Sequence, residues 1–219
     1  MVNRQVEVLA DAEAVAQRAA AFIAERVRNG VAERGSFSVA LSGGRTPARM
    51  VELLAEEDLA WEALAIYQVD ERVALRGQAD RNLTQLEAAL REARIVPMPV
   101  DDEDLYAAAT RYAAALPDRL DLVHLGLGSD GHTASLVPGC GALEIRDRDV
   151  AISSEYHGYR RMTLTYPALD RAHEVLWVVT GEDKSAALAQ LLADDPAIPA
   201  SRVAAPEQTV LTDQRVTYS

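Results

Sequence analysis

Short β-prone apolar runs alternate with helix-length segments along most of the chain, which is typical of a parallel sheet covered by helices. The runs that we predict as strands are Val6–Leu9, Phe37–Leu41, Leu64–Val69, Ile95–Met98, Leu120–Leu125, Val150–Ser154, Met162–Thr165, Val175–Val179 and Thr209–Leu211. This alternation indicates the α/β class. We expect a three-layer α/β/α fold whose open, mostly parallel, Rossmann-like sheet carries helices on both faces.

Apolar residues at helical spacing and capping residues mark the helices between these strands. The first helix is predicted to begin after Asp11, which suits an N-cap, and to stop at Gly30. Thr46 is predicted to cap the second helix, with Pro47 in its first helical position. Further helices are predicted at Asn82–Arg91, Asp101–Leu116 and Asp183–Leu192. Because no repeat or linker interrupts the pattern, we expect residues 1–219 to form one domain.

Composition and charge narrow the classes of function. The 219 residues are 49% hydrophobic and 26% charged, which is ordinary globular usage and argues against a disordered chain. The 22 basic and 34 acidic residues give a net charge of −12, which repels nucleic-acid phosphates and anionic lipid headgroups. The longest apolar run, Ala19–Ala24, is much shorter than the roughly 20 residues of a membrane-spanning helix.

The number of cysteines and the first residues of the chain indicate in which cellular compartment the protein is expected. The chain has one cysteine, Cys140, so no intrachain disulfide can form. The first residues lack the charged start, apolar stretch and cleavage site of a signal peptide. We therefore expect a cytoplasmic protein, in which Cys140 is a small buried residue.

Polar or glycine-rich segments follow four of the predicted strands. They are Ser42–Pro47, Asp70–Arg72, Gly126–His132 and Gly181–Lys184. Ligands of open α/β sheets bind outside the carboxyl ends of the strands, where such segments converge. We therefore expect these four segments to form a single site.

The first segment has the chemistry of a phosphate cradle. The glycines of Ser42-Gly43-Gly44-Arg45-Thr46-Pro47 let backbone amides approach an anion, hydroxyls and a cation stand beside them, and a helix N-terminus follows. A tight strand-to-helix turn explains the same residues equally well. The segment lacks the Gly-Lys-Ser/Thr ending of a nucleoside-triphosphate loop, so that class of enzyme is not expected.

The third segment holds the best candidate for a general base. His132 lies in a polar loop between Asp130 and Thr133, and imidazole suits proton transfer at neutral pH. A loop histidine satisfied by a neighbouring carboxylate is the alternative. Gly126, Gly128 and Gly131 also match the dinucleotide-binding pattern G-x-G-x-x-G, but the proline and glycine at 138–139 leave no room for the helix which that pattern requires.

The charged residues of the other segments indicate an anionic small-molecule substrate. Strand alternation puts Asp70 and Arg72 on one side of the chain, while Arg161 and Lys184 add cations near two further strand boundaries. Each of these cations fits a solvated surface position on its own. No histidine, cysteine or acidic residues have the spacing of a metal site, so a metal is not expected.

In order and spacing, these segments resemble the 6-phosphogluconolactonases, within the wider sugar-phosphate isomerase and deaminase superfamily. The resemblance covers nearly the whole chain. Its further pieces are Asn82 downstream of Asp70-Glu71-Arg72, the run from Gly126 to Gly139, and Arg161-Met162-Thr163-Leu164-Thr165. The resemblance implies cofactor-free hydrolysis of 6-phospho-D-glucono-1,5-lactone to 6-phospho-D-gluconate, in the oxidative pentose phosphate pathway.

The resemblance also implies roles for individual residues. His132 would deprotonate the attacking water, Asp130 would organise the loop, and Arg72 would stabilise the oxyanion or hold the phosphate. The residues expected to bind the substrate and its phosphate are Ser42, Gly43, Gly44, Arg45, Thr46, Asp70, Arg161 and Lys184. Arg45, Arg81 and Val137 depart from residues frequent in this family, which leaves the phosphate contacts open.

Two alternatives remain. The glucosamine-6-phosphate deaminase branch typically carries a glutamate before the loop proline, whereas this chain has Val137 before Pro138, and valine cannot move a proton. A non-catalytic sugar-phosphate sensor would bind in the same pocket without turnover. We expect a monomer, with a dimer as the alternative, and no nucleic-acid or membrane partner.

Overall fold

The computed structural model describes residues 2–215, apart from the side chains of Arg45 and Thr46. The strands are β1 (Asn3–Val8), β2 (Phe37–Leu41), β3 (Leu64–Gln68), β4 (Asp70–Arg72), β5 (Arg94–Val96), β6 (Leu122–Gly126), β7 (Val150–Tyr156), β8 (Tyr159–Leu164), β9 (Glu174–Val179) and β10 (Glu207–Thr212). The α-helices are α1 (Ala12–Arg34), α2 (Arg45–Ala55), α3 (Asn82–Ala89), α4 (Leu105–Ala115), α5 (Tyr166–Asp170) and α6 (Ser185–Leu192).

Seven strands form one parallel sheet in the order β1-β10-β9-β6-β2-β3-β5. Side chains that alternate along each strand supply two separate hydrophobic clusters. Leu176 and Val178 belong to the cluster that includes α1 and α2, whereas Trp177 between them belongs to the cluster that includes α4 and α6. The predicted three-layer α/β/α class is thereby confirmed.

A second, antiparallel sheet of three short strands, in the order β4-β8-β7, lies outside the main sheet. The sequence predicted β7 and β8 as strands but did not separate them from the parallel sheet. It predicted a strand through Val69 and treated residues 70–72 as the polar end that follows it, whereas they form β4 and pair with β8. Apolar residues of this sheet, including Met162 and Leu164, pack into the cluster of α4 and α6.

Several helix boundaries differ from the sequence prediction. The helix predicted at Asp101–Leu116 begins at Leu105, because Asp104 is its N-cap, and the helix predicted at Asn82–Arg91 ends at Ala89. The prediction that the first helix stops at Gly30 is wrong, because α1 continues to Arg34 and ends at Gly35, whose φ of 76° is the left-handed conformation of a C-terminal cap. The prediction that Thr46 caps the second helix is also wrong. Gly44 is the N-cap of α2, so Pro47 is the third helical residue. None of the helices within residues 2–215 has the length and apolar character that would let it cross a bilayer.

Gly30 lies inside α1 because the helix packs closely on β2. A Cβ at this position would lie 2.4 Å from Cδ2 of Phe37, a buried ring at the start of β2. Glycine in a helix interior normally costs about 1 kcal/mol relative to alanine. Here the absent side chain makes room for the Phe37 ring.

We predict that Gly30→Ala destabilises the protein by about 1–3 kcal/mol, because overpacking outweighs the gain in helix propensity. The free energy of unfolding, measured in urea for Gly30→Ala, Phe37→Leu and the double variant, tests this. The smaller leucine should relieve the clash, so the double variant should be more stable than the sum of the single effects. A rise in stability for Gly30→Ala alone would contradict the close contact.

Candidate active site

A cleft of about 330 Å³ lies where the carboxyl ends of the parallel strands meet the small sheet. The predicted site residues that line it are Ser42, Gly43, Gly44, Asp70, Arg72, His132, Arg161 and Lys184. Asp130 contacts His132 at the edge of this cleft. The side chains of Arg45 and Thr46 fall outside the described part of the structure. Four segments that are distant in sequence therefore meet, as the strand order requires.

His132 and Asp130 form a hydrogen-bonded pair in the loop after β6. The Nδ1 atom of His132 lies 2.5 Å from Oδ1 of Asp130, and the backbone N–H of His132 donates to the same oxygen at 3.1 Å. Because an ionised carboxylate can only accept, Nδ1 is the donor of this contact, and in the neutral imidazole the lone pair is on Nε2. This is the arrangement of an imidazole held by a carboxylate to act as a base.

The loop that carries this pair depends on Gly128. A Cβ at Gly128 would lie 2.0 Å from Nδ1 of His132 and 2.6 Å from Oδ1 of Asp130, so only glycine leaves room for the contact. Partial burial acts to raise the pKa of Asp130. The hydrogen bonds from the backbone and imidazole of His132 outweigh burial, so the pKa of this carboxyl is lowered below its usual value.

The glycine-rich segment after β2 enters α2 beside Asn82. A Cβ on Gly43 would lie 1.9 Å from Oδ1 of Asn82, and Gly44 has a φ of 124°, which favours glycine. Since α2 begins at Arg45, its first backbone N–H groups have no partner within the helix and carry the positive end of its dipole. These donors make the segment suitable for an anion.

Ser42 faces inward as well as lining the cleft. Its hydroxyl donates to the carbonyl of His124 at 2.9 Å, and its backbone N–H donates to Nδ1 of His124 at 3.3 Å. The hydroxyl proton of Ser42 is thus held by β6 rather than offered to the cleft. His124 is fully buried in β6, and burial lowers its pKa to about 3.

Asp70 and Arg161 come from paired strands of the small sheet and form a buried ion pair. Nη1 of Arg161 lies 3.7 Å from Oδ2 of Asp70, which also accepts from the Ser135 hydroxyl at 2.6 Å. Asn82 donates to Oδ1 of Asp70 at 3.2 Å. Burial raises the pKa of Asp70, against the effect of Ser135 and Arg161, and burial lowers the pKa of Arg161. The pair presents both hydrogen-bond acceptors and a cation to the cleft.

Two further cations lie at the cleft. Arg72 donates to the backbone carbonyl of Asp80, and Nζ of Lys184 lies 3.0 Å from Oδ2 of Asp183. Lys184 is the only lysine in the chain, since the other basic residues are arginines. An ammonium is a compact point charge with three donors, whereas a guanidinium offers a planar fork, so the two kinds of cation suit different parts of an anion.

Sequence reasoning did not select Tyr156, Ser135 or Asn82 as site residues, although Asn82 was noted for its place in the motif. Tyr156 lines the cleft from the end of β7, and its hydroxyl lies 3.3 Å from Oδ2 of Asp130. The signal that could have found it is His157-Gly158, a two-residue turn that predicts a hairpin.

In residues 2–215, no three side chains of His, Cys, Asp or Glu are grouped as metal ligands would be.

Residues 10–212 match the family model of glucosamine-6-phosphate isomerases and 6-phosphogluconolactonases. The chain is 35% identical over 207 residues to a 6-phosphogluconolactonase of Synechocystis, covering 87% of this chain and 86% of that protein. It is 33% identical over 229 residues to one from Nostoc, covering 96% and 95% of the two chains.

Solved structures of related enzymes share the fold. A 6-phosphogluconolactonase from Thermotoga maritima is 25% identical and superposes with a TM-score of 0.85, covering 96% of this chain and 99% of that one. A monomeric glucosamine-6-phosphate deaminase, 19% identical, gives a TM-score of 0.84 over 95% of this chain and 96% of its own. The fold is therefore common to both activities, and only the residues of the cleft can separate them.

We predict that buried His124 makes the protein sensitive to acid. Its pKa of about 3 in the folded state lies below the 6.5 that is usual for histidine, so between these values the unfolded chain binds one more proton. The free energy of unfolding should therefore fall, by about 1.4 kcal/mol per pH unit, as the pH is lowered from 6 to 4.5.

His124→Asn keeps an acceptor for the N–H of Ser42 and removes the titrating group. Urea unfolding at several pH values should give this variant a shallower slope than the wild type by about that amount. Equal slopes would mean that His124 is protonated in the folded protein.

Proposed function

Because the chain belongs to the family of glucosamine-6-phosphate isomerases and 6-phosphogluconolactonases, we infer that it hydrolyses 6-phospho-D-glucono-1,5-lactone to 6-phospho-D-gluconate. This is a step of the oxidative pentose phosphate pathway. The observation that carries the inference is the 2.5 Å contact between His132 and Asp130 at a cleft lined by Arg72, Arg161 and Lys184. Hydrolysis of an anionic lactone requires a base that activates water and cations that bind the phosphate and stabilise the oxyanion.

The deaminase branch typically uses a glutamate before the loop proline to carry a proton, and this chain has a valine at that position. Val137 precedes Pro138 in the loop after His132, and its side chain is buried in the hydrophobic cluster of α4 and α6. A valine there can neither donate nor accept a proton. The lactonases of Synechocystis and Nostoc, which share about a third of their residues with this chain, support the same choice.

We propose that His132 activates the attacking water. Nε2 takes a proton from water while the water oxygen forms a bond to C1 of the lactone, and the carbonyl oxygen becomes negatively charged. Asp130 holds Nδ1 so that Nε2 faces the cleft, and its charge stabilises the imidazolium that forms. Arg72 is the cation that we assign to the developing oxyanion.

The tetrahedral intermediate then collapses. The bond between C1 and the ring oxygen breaks, and the ring oxygen takes the proton from Nε2 of His132, which returns the base to its starting state. The product is an open-chain acid that ionises at neutral pH. A lactone is an activated ester, so positioning, a base and charge stabilisation are sufficient for the reaction.

The phosphate of the substrate is assigned to the glycine-rich segment and Lys184. There the glycines at 43 and 44 and the N-terminus of α2 offer backbone donors, and Lys184 supplies a point charge. Arg45 and Thr46 stay candidates for the same phosphate. Arg161 and Asp70 also line the cleft, and we assign them to the sugar.

We also propose that the chain acts as one domain and as a monomer in the cytoplasm, with this small molecule as its partner. The small molecule as partner is supported by the acidic charge of −12, which disfavours nucleic acids and anionic membranes.

His132→Ala should lower kcat by about 10²- to 10⁴-fold with little change in KM, because the general base is lost. The lactone is generated in situ and 6-phosphogluconate formation is followed, with spontaneous hydrolysis subtracted. His173→Ala is the matched control, because His173 lies at the other end of the sheet, where its backbone N–H donates to the carbonyl of Leu120 and is kept in the variant. A wild type that binds the product without turning over lactone would be a sensor. A wild type that does neither would refute the proposal.

Lys184→Ala should raise KM by about tenfold and leave kcat nearly unchanged, because a charge-assisted contact to the phosphate is lost. Lys184→Arg keeps the charge and should recover most of the loss in KM. Since the chain has a single lysine, 6-phosphogluconate should also protect this position from an amine-acylating reagent, as measured by peptide mass spectrometry. An unaltered KM in Lys184→Ala would remove Lys184 from the phosphate site.

A further inference from the structure

We propose that Tyr156 is a positioning residue that holds both members of the His132–Asp130 pair in their reactive orientation. The inference rests on the proposed function, since it concerns the base of that reaction. Its basis is the geometry of the β7–β8 hairpin, which reaches across from the small sheet to the loop after β6. Neither the sequence motifs nor the family resemblance assigns this tyrosine a role.

The first step is an irregularity in β7 that turns Tyr156 toward the cleft. Ser153 pairs with Arg161 and Tyr156 pairs with Tyr159, so three steps along β7 match two along β8. The extra residue is a β-bulge, which moves the following side chains to the other face of the strand. Directly opposed residues share a face, so the bulge puts Tyr156 on the face of Arg161, which lines the cleft.

The turn of the hairpin maintains this arrangement. His157 and Gly158 have φ angles of 50° and 77°, which is the two-residue turn that matches the twist of antiparallel strands. The imidazole of His157 packs on the Tyr156 ring, with centroids 4.1 Å apart. The Arg161 guanidinium carbon lies 5.5 Å from the centroid of the same ring. The Tyr156 ring therefore has two neighbouring side chains packed near it.

Tyr156 contacts Asp130 and His132 through different groups. Its hydroxyl donates to Oδ2 of Asp130 at 3.3 Å, while Oδ1 of that carboxylate is the atom bonded to His132. Its ring meets the imidazole of His132 edge-on, with centroids 5.3 Å apart. The hydroxyl therefore fixes the rotation of the carboxylate, and the ring limits the rotation of the imidazole.

This arrangement separates the two parts of the tyrosine experimentally. Tyr156→Phe removes only the hydroxyl and should lower kcat about fivefold, with KM within twofold of the wild type, since one hydrogen bond to a charged group is lost. Tyr156→Leu also removes the ring and should lower kcat further. Tyr159→Phe is the matched control, because Tyr159 shares the hairpin face but its hydroxyl donates to Asp80, and kcat should stay within twofold.

A second measurement needs no substrate. The Nδ1 proton of His132, hydrogen-bonded to a carboxylate, gives a low-field proton resonance in NMR spectra. That resonance should shift or broaden in Tyr156→Phe and stay unchanged in Tyr159→Phe.

The outcomes separate this inference from the proposed function. A wild type without turnover above spontaneous hydrolysis would refute the function. With an active wild type, a Tyr156→Phe variant of normal kcat and unchanged Nδ1 resonance would overturn the positioning role. A rise in KM at constant kcat would also overturn it, because Tyr156 would then contact the substrate instead of the base.

Discussion

The buried carboxylate of Glu71 is the interaction on which the geometry of the cleft depends. It accepts from the backbone N–H groups of Arg72, Asn82 and Leu83 at 2.8–2.9 Å and from the Gln68 side chain at 2.8 Å. The fully buried Arg81 lies 3.5 Å away and supplies an opposite charge. Losing one member of such a buried pair typically costs about 3–5 kcal/mol, because the other charge stays unpaired. One side chain thus joins β4 to the start of α3, and so fixes Arg72 and Asn82 relative to each other.

The cleft is assembled from two sheets, and this explains the division of its chemistry. The parallel sheet supplies His132, the glycine-rich segment and Lys184, all from segments that follow the carboxyl ends of its strands. The antiparallel sheet supplies Asp70, Arg161 and Tyr156 from within its strands, where pairing holds the side chains in register. The loops expose their groups to the ligand, while the paired strands hold their side chains in fixed positions.

The sequence predicts the order of the elements and the segments that form the cleft, because strand periodicity and strand-end chemistry are local signals. It does not predict the second sheet, since the pairing of β4 with β8 joins residues about ninety positions apart and nothing local encodes that partner. It places the end of α1 at Gly30 because a glycine in a helix suggests a stop, whereas the close approach of Phe37 is a tertiary cause. Tyr156 is not identified as a site residue from the sequence, because its orientation toward the cleft depends on the bulge in β7, which arises from pairing with β8.

The contrast between an acidic surface and a cation-lined cleft has a consequence for the end of the catalytic cycle. Hydrolysis adds a carboxylate, so the product that leaves carries one more negative charge than the lactone that entered. The cations of the cleft act over short distances, whereas the net charge of −12 is felt outside it, over a Debye length of about 8 Å at physiological salt. Once the product moves away from Lys184 and Arg161, the surrounding potential opposes its return. The net charge therefore opposes the return of the product more strongly than the entry of the lactone, which carries one negative charge fewer.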